Sequence, residues 1–245
     1  MSHRILTALP VYNEEKYLLD VIPEVRKYSD EVLVVDDGSS DRTPLLLAEM
    51  ESIHVIRHEK NQGYGAGLKS AFQFTIDNGF DALVTIDCDG QHEPRLIPRI
   101  AEKLWPADGT VVDIVSGSRY LEIFEGDSVP PEARRKVNVE ITAQLNRCFG
   151  LNLTDTFCGF KAYRTEALAK FDVTELGYAM PLQLWIQAVS HQMTIVEFPV
   201  PLIYLDENRS FGGSLDDTAQ RLAYYKQILQ REMAQQKIGC GEKTV

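Results

Sequence analysis

The sequence predicts an α/β fold with a mostly parallel central sheet and helices on both faces. Three observations carry that expectation. Short apolar runs alternate with longer amphipathic stretches along most of the chain, the pattern of repeated strand–helix units. Polar and acidic clusters recur at the carboxyl ends of those runs, the edge where such a sheet binds its ligands. The chain has 245 residues, 44% of them hydrophobic and 25% charged, enough for one large α/β domain or two small ones. No linker or internal repeat interrupts the pattern, so a single domain over 1–245 is expected, with its core at about 4–215 and a terminal amphipathic helix at about 215–236.

The first strand is expected at Ile5–Leu9, stopping at Pro10, which has no N–H to continue a ladder. Asn13 is placed as the N-cap of the following helix, with Glu14 and Glu15 at its positive end and Leu18, Leu19, Ile22 and Val25 as its apolar stripe. A second strand, Glu31–Val35, opens into Asp36-Asp37-Gly38-Ser39-Ser40, and Pro44 sits at the first position of the next helix. Ile53–Arg57 is a third strand. The glycines after it, Gly63, Gly65 and Gly67, lack the spacing and position of a dinucleotide fingerprint, and no P-loop Lys-Ser/Thr follows them. They read as a flexible turn into a helix carrying Leu68, Ala71, Phe72 and Ile76.

The fourth strand, Ala82–Ile86, ends on Asp87-Cys88-Asp89-Gly90-Gln91-His92. If the backbone stays extended, Asp87 and Asp89 point to one side, and two carboxylates there repel unless a cation lies between them. Asp and Gln oxygens suit a hard ion, Mg²⁺ or Mn²⁺, with positions left for water and phosphate. Taken alone, the pair fits a solvated strand end equally well. A helix from Pro94 to about Leu104 and a strand from Val111 to Ser116 lead to Gly117-Ser118-Arg119.

Beyond Arg119 the pattern loosens. Residues 122–131 read as a polar, mobile loop, followed by a helix through Phe149 that opens on Arg134-Arg135-Lys136, the one dense cationic cluster of the chain. Such a run by itself also fits a solvated helix face. Cys158–Arg164 is strand-like, Gly177–His191 helical, and Thr194–Leu205 an edge strand broken by Pro199 and Pro201. The apolar face of the last helix (Leu222, Tyr225, Ile228, Leu229) is expected to pack on the domain or on another copy in preference to lipid.

Composition excludes several classes. A net charge of −11 argues against a general nucleic-acid binder. No apolar run approaches the roughly 18–20 residues of a membrane-spanning helix. The four cysteines (Cys88, Cys148, Cys158, Cys240) have no zinc-type spacing and are expected to be free thiols in a reducing compartment. Met1-Ser2-His3-Arg4 runs straight into a strand, which predicts no secretory signal and a cytoplasmic protein, at most attached to the cytoplasmic face of a membrane.

Six segments occur in one order: Pro10-Val11-Tyr12-Asn13-Glu14, Val35-Asp36-Asp37-Gly38-Ser39, Asp87-Cys88-Asp89-Gly90-Gln91-His92-x-Pro94, Gly117-Ser118-Arg119, Cys158-Gly159-Phe160-Lys161-Ala162-Tyr163-Arg164 and Arg209-x-x-Gly212-x-Ser214. Together they closely resemble inverting family 2 glycosyltransferases, whose GT-A fold is a Rossmann-like three-layer sandwich. Within that family the chain is most similar to the dolichol-phosphate mannose synthase and polyprenyl-phosphate transferase group, over about residues 4–215. The resemblance implies that Pro10, Tyr12, Glu14, Val35 and Asp37 hold the nucleoside of a nucleotide-sugar. It implies that Asp87, Cys88 and Asp89 contact ribose, diphosphate and metal, with Asp87, Asp89 and Gln91 as the Mg²⁺ or Mn²⁺ site. Arg119 and Arg209 would face donor or acceptor phosphates. Arg134 would grip the acceptor phosphate, with Arg135 as its alternate and Ser214 nearby. Asp89, Arg119, Arg134 and Arg209 are thus the implied catalytic set.

The implied reaction moves a hexose, mannose from GDP-mannose first, to a polyprenyl or dolichyl phosphate. The alternatives are a UDP-sugar donor with a lipid-phosphate or hydroxyl acceptor, and a non-catalytic nucleotide-sugar-binding partner. Processive polysaccharide synthesis is disfavoured by the absence of a Q-x-x-R-W motif. The chain departs from many relatives at Gly177-Tyr178-Ala179 and Gln183, where they carry Gly-Phe-Lys and then Glu. It also departs at Leu215, in place of Lys or Arg, and at Cys158, in place of Ser. The missing Glu favours a phosphate acceptor. Reaching a lipid without a membrane helix implies peripheral membrane contact or a membrane-protein partner, and an oligomer is also allowed.

Overall fold

Residues 3–205 and 213–241 are described by a computed structural model, apart from the side chain of Ser214. Seven strands form one sheet in the order β3-β2-β1-β4-β6-β5-β7. They are β1 (Ile5–Val11), β2 (Glu31–Asp36), β3 (His54–Arg57), β4 (Ala82–Thr85), β5 (Ile114–Ser118), β6 (Lys161–Arg164) and β7 (Ile195–Pro199). Only β6 runs against its neighbours, β4 and β5; the other pairs are parallel. β7 is an edge strand, where Pro199, its last residue, and Pro201 beyond it are tolerated.

Period-two alternation sends successive strand residues to opposite cores. Leu9, Val11, Val32, Val34 and Val84 face α1 (Leu18–Val25), α2 (Thr43–Ala48) and α4 (Ile97–Glu102). Leu6, Ala8, Leu33, Val35 and Leu83 face α3 (Tyr64–Asp77), α6 (Thr165–Leu168) and α7 (Met180–Ser190). A third apolar cluster joins α5 (Glu132–Phe149), α7 and α8 (Thr218–Gln236), so the Tyr225/Ile228/Leu229 face of the last helix is covered by the protein itself.

Four sequence expectations need correction. β1 passes through Pro10, whose Cα pairs with Val35, and ends at Val11. Ala8 O accepts from Ile86 N, so Ala8 and Pro10 both direct their backbone polar groups toward β4. β4 ends at Thr85, and the missing N–H of Pro10 falls where no strand partner remains. Asn13 is not a helix cap. It adopts φ +56°, and its Oδ1 accepts from Ser40 N at 2.8 Å, while α1 begins later, after Tyr17.

The glycines at 63–67 are sites of close packing: a Cβ on Gly65 would lie 2.4 Å from the Glu175 carbonyl oxygen. Cys148 and Cys240 form a disulfide, leaving Cys88 and Cys158 as buried free thiols. The fold brings the end of α5 beside the turn after α8, where Gly241 N also donates to Cys148 O; a separation of 92 residues gave no signal for it. With that pair oxidised, cysteine usage no longer argues for a reducing compartment.

Candidate active site

The loops after β1, β2, β4 and β5 meet the ends of α5, α7 and α8 around a cavity of about 380 Å³. On the β1 side, the backbone N–H of Asn13 donates to Ser39 Oγ (2.9 Å) and that of Glu14 to Thr43 Oγ1 (3.0 Å). These bonds latch the first loop to the second and hold Tyr12, 45% exposed, at the rim. Asp37 lies beneath. Its carboxylate accepts from Gln62 N (3.0 Å) and Gly63 N (2.7 Å) and pairs with His58 Nδ1 (2.6 Å), which fixes the turn entering α3.

The Asp87 carboxylate is seated against Gly159, where a Cβ would come within 2.1 Å of Asp87 Oδ2. Tyr64 donates to Oδ1 at 3.3 Å, and His92 Nε2 is 3.4 Å from Oδ2. Burial, then the Asp87 charge, holds the Tyr64 pKa well above its ordinary value, so Tyr64 stays a protonated donor. Gly90, at φ +74°, turns the chain so that Gln91 N donates to Asp89 Oδ1 at 3.0 Å. Asp87, Asp89 and Gln91 all line the cavity. Three side chains bearing hard oxygen donors on one short loop, beside space for a diphosphate, fit a Mg²⁺ or Mn²⁺ ion.

The opposite wall is cationic. Arg119 donates through Nε (2.6 Å) and Nη2 (3.0 Å) to Asp155, which also accepts from Asn138 Nδ2 (2.7 Å) and Phe157 N (3.0 Å). Burial opposes both charges, yet Arg119 holds the Asp155 pKa far below the carboxylate range and Asp155 holds the Arg119 pKa above its ordinary value. Arg134 lines the cavity from α5 with its guanidinium 5.9 Å from the Tyr204 ring. Arg135 turns aside and stacks 3.6 Å over Tyr120, whose pKa is pushed up to about 12, chiefly by burial.

Ten of the expected residues therefore meet at one cavity: Pro10, Tyr12, Glu14, Asp37, Asp87, Cys88, Asp89, Gln91, Arg119 and Arg134. Val35 does not reach it, being fully buried in the core beneath, and Arg135 is not part of its lining. Arg209 and the Ser214 side chain lie outside the described residues. Sequence reasoning missed Asp155, and it missed Arg221, 4% exposed on α8, which lines the cavity and donates to Leu215 O at 2.8 Å. A signal for Arg221 existed. It recurs at helical spacing with Tyr225 and Ile228, a charge inside an apolar stripe.

Gln183 is remote from the chemistry. It is fully buried; its Oε1 accepts from Thr174 N and Glu175 N, and its Nε2 donates to Glu232. Gln187 and Gln236 donate to the same carboxylate. Gln183→Glu would set two carboxylates face to face, and we expect a loss of about 3 kcal/mol of stability at neutral pH. The raised folded-state pKa of the pair makes that penalty shrink as the pH falls, which melting temperatures across pH will show. Gly159→Ala displaces the Asp87 carboxylate. An expected loss of about 10²-fold in turnover with the fold retained is checked by kinetics beside circular dichroism.

Residues 7–171 match the family model described as Glycosyl transferase family 2. The chain belongs to glycosyltransferase family 2. It is therefore a glycosyltransferase, and its mixed seven-stranded sheet is the GT-A fold. This family 2 chain is 32% identical over 227 residues to an undecaprenyl-phosphate mannosyltransferase of Micrococcus luteus, covering 86% of this chain and 88% of the relative. It is 31% identical over 211 residues to a polyprenol monophosphomannose synthase of Mycolicibacterium smegmatis, covering 81% and 77%. A solved glucosyl-3-phosphoglycerate synthase from Mycobacterium tuberculosis, in complex with Mn²⁺, UDP-glucose and phosphoglyceric acid, superposes with a TM-score of 0.70. That alignment covers 97% of this chain and 81% of the other at 22% identity, a likeness of fold. Among the described residues no helix is long and apolar enough to cross a membrane.

Proposed function

We propose that this family 2 glycosyltransferase transfers a hexose, mannose from GDP-mannose, to the phosphate of a polyprenyl lipid with inversion at the anomeric carbon, the whole chain acting as one catalytic unit. One observation carries the reading: the two walls of the cavity have opposite chemistry. The wall built from the ends of β1, β2 and β4 carries Glu14, Asp37, Asp87 and Asp89. Among the described residues, the charged lining groups of the facing wall are Arg119, Arg134 and Arg221; no carboxylate lines it, Asp155 being fully buried behind Arg119. A hydroxyl acceptor needs a base on that wall. A phosphate monoester does not, because its oxygens are already ionised near neutral pH (second pKa about 6), and guanidinium groups are what orients it. The named activities of the two bacterial relatives support the same acceptor class and sugar.

In the reaction an acceptor phosphate oxygen forms its bond to the anomeric carbon on the face opposite the diphosphate. The carbon–oxygen bond to the diphosphate breaks, and its electron pair leaves with the nucleoside diphosphate. Arg134 and Arg221 position the acceptor, and Arg119 faces the charge that develops. Asp87, Asp89 and Gln91 would hold a Mg²⁺ or Mn²⁺ ion, which when bound supplies charge neutralisation at the diphosphate.

Thermal-shift measurements with GDP-mannose and UDP-sugars, each with and without Mn²⁺, test the donor. Ligand at about 100 times its Kd adds ~2.7 kcal/mol, a shift of several degrees. The largest shift is expected for GDP-mannose with Mn²⁺, followed by mannosyl transfer to a polyprenyl phosphate. A larger shift with a UDP-sugar reassigns the donor. No shift with any nucleotide rejects the proposal, and a shift without product on any acceptor makes the chain a nucleotide-sugar-binding partner.

A further inference from the structure

Beside the cavity mouth lies an apolar lip. The segment after β5 folds back on the segment after β7: Ser128 N donates to Leu202 O at 2.7 Å, Leu202 N to Asp127 Oδ1 at 2.8 Å and Tyr204 N to Ser128 Oγ at 3.0 Å. Asp127 also accepts from Phe124 N, which closes the loop on itself. The sequence suggested a mobile polar loop here, and the structure shows a laced one. Tyr120 and Tyr204 line the cavity, while the next residue in each segment, Leu121 or Leu205, is exposed and not part of its lining. At the crest Ile123 is 96% exposed and Val129 85%, the highest values of any large apolar side chain among the described residues.

We infer that this lip docks the enzyme on a lipid bilayer, inserting Ile123 and Val129 so that the acceptor phosphate presented by the membrane enters beside Arg134. The inference rests on the polyprenyl-phosphate reading above and names the surface that serves it. Two arguments select a bilayer over a protein partner. The lip continues the two segments whose Tyr120 and Tyr204 line the cavity, and Asp127 and Ser128 are bonded to Leu202 and Tyr204, so an acceptor lipid held at Arg134 has a short route past it into a membrane. The lip segment also carries Glu122, Glu125 and Asp127 and no Lys or Arg between positions 120 and 131, so it has no charge that would draw it to an anionic surface. Attachment is therefore hydrophobic, without need of anionic lipid. The apolar face of α8, the other candidate, is covered by α5 and α7.

The test is co-sedimentation of the full chain with neutral phosphatidylcholine vesicles that contain no polyprenyl phosphate, comparing wild type with Ile123→Asp/Val129→Asp. Wild type should sediment with the vesicles, and should still do so in about 1 M salt, where charge attraction is screened to ~3 Å. The double variant should bind at least about tenfold more weakly, with an unchanged melting temperature because both side chains are exposed. Turnover on acceptor embedded in vesicles should fall in parallel, while turnover on a short, water-soluble prenyl phosphate stays within about twofold.

Failure of wild type to sediment, or equal sedimentation of the variant, overturns the inference. So does a wild-type dimer that the variant converts to monomer without any vesicle binding, which would make the lip a contact between copies. Loss of turnover on the short acceptor as well would assign the lip to the catalytic cavity instead of to docking. If wild type transfers sugar to neither acceptor, the proposed function fails while the vesicle measurement still decides the docking surface.

Discussion

Asp89→Ala is expected to lower turnover by at least about 10³-fold, equivalent to ~4 kcal/mol of transition-state stabilisation, with little change in melting temperature. Asp89 stands on a loop beyond the end of β4 and lines the cavity, so its removal leaves the three apolar clusters intact. What it takes away is one hard oxygen donor beside Gln91, together with the turn that Gln91 N makes on its carboxylate. Activity should be measured over a range of Mn²⁺ and Mg²⁺ concentrations. The variant should need far more metal or show no metal response. Turnover equal to wild type would remove the metal site from Asp87, Asp89 and Gln91.

Asp155→Ala should be the most damaging single change to stability. Asp155 is fully buried, and its loss strands the Arg119 guanidinium, 16% exposed, without its partner. Breaking a buried pair in this way costs about 3–5 kcal/mol. Two neighbouring backbone groups, Thr154 N and Asp155 N, are held separately by Glu197, so the loop itself should persist. Turnover should fall too, because Arg119 loses the bidentate bonds that aim it at the cavity.

The linkage to pH has a definite sign. The folded-state pKa of Asp155 is depressed, so its contribution to stability is complete above the unfolded carboxylate value of about 3.9 and is lost as the pH falls through the folded value. Wild type minus Asp155→Ala, followed by chemical denaturation, should therefore be flat near neutrality and shrink in acid. A difference that grows on acidification would contradict the ion pair.

The elements that were legible before folding were those with local signatures. Alternation placed β1, β2, β4 and the edge strand β7, and strand ends marked Tyr12, Asp37, Asp87 and Arg119 as cavity residues. The misreadings share a cause. Pro10 was judged by its missing donor, yet the partner strand on that side had already ended. Asn13 was judged by its preference for helix starts, but its oxygen bonds Ser40 across 27 residues. Gly63 and Gly65 looked like flexibility and are close contacts with a segment more than a hundred positions later, while Gly67 faces Pro10.

The order of the motifs alone determined the family, the sheet class and the acidic wall of the cavity, because each of those rests on a short run of residues and its immediate strand or helix. Tertiary structure alone decided that Asp155 holds Arg119, that Arg221 faces the cavity, that Gln183 is locked away from it, and that Cys148 meets Cys240. Those contacts depend on how α5, α7 and α8 stack on one another. Stacking is set by the fit of many buried side chains together, which no local pattern in a chain records.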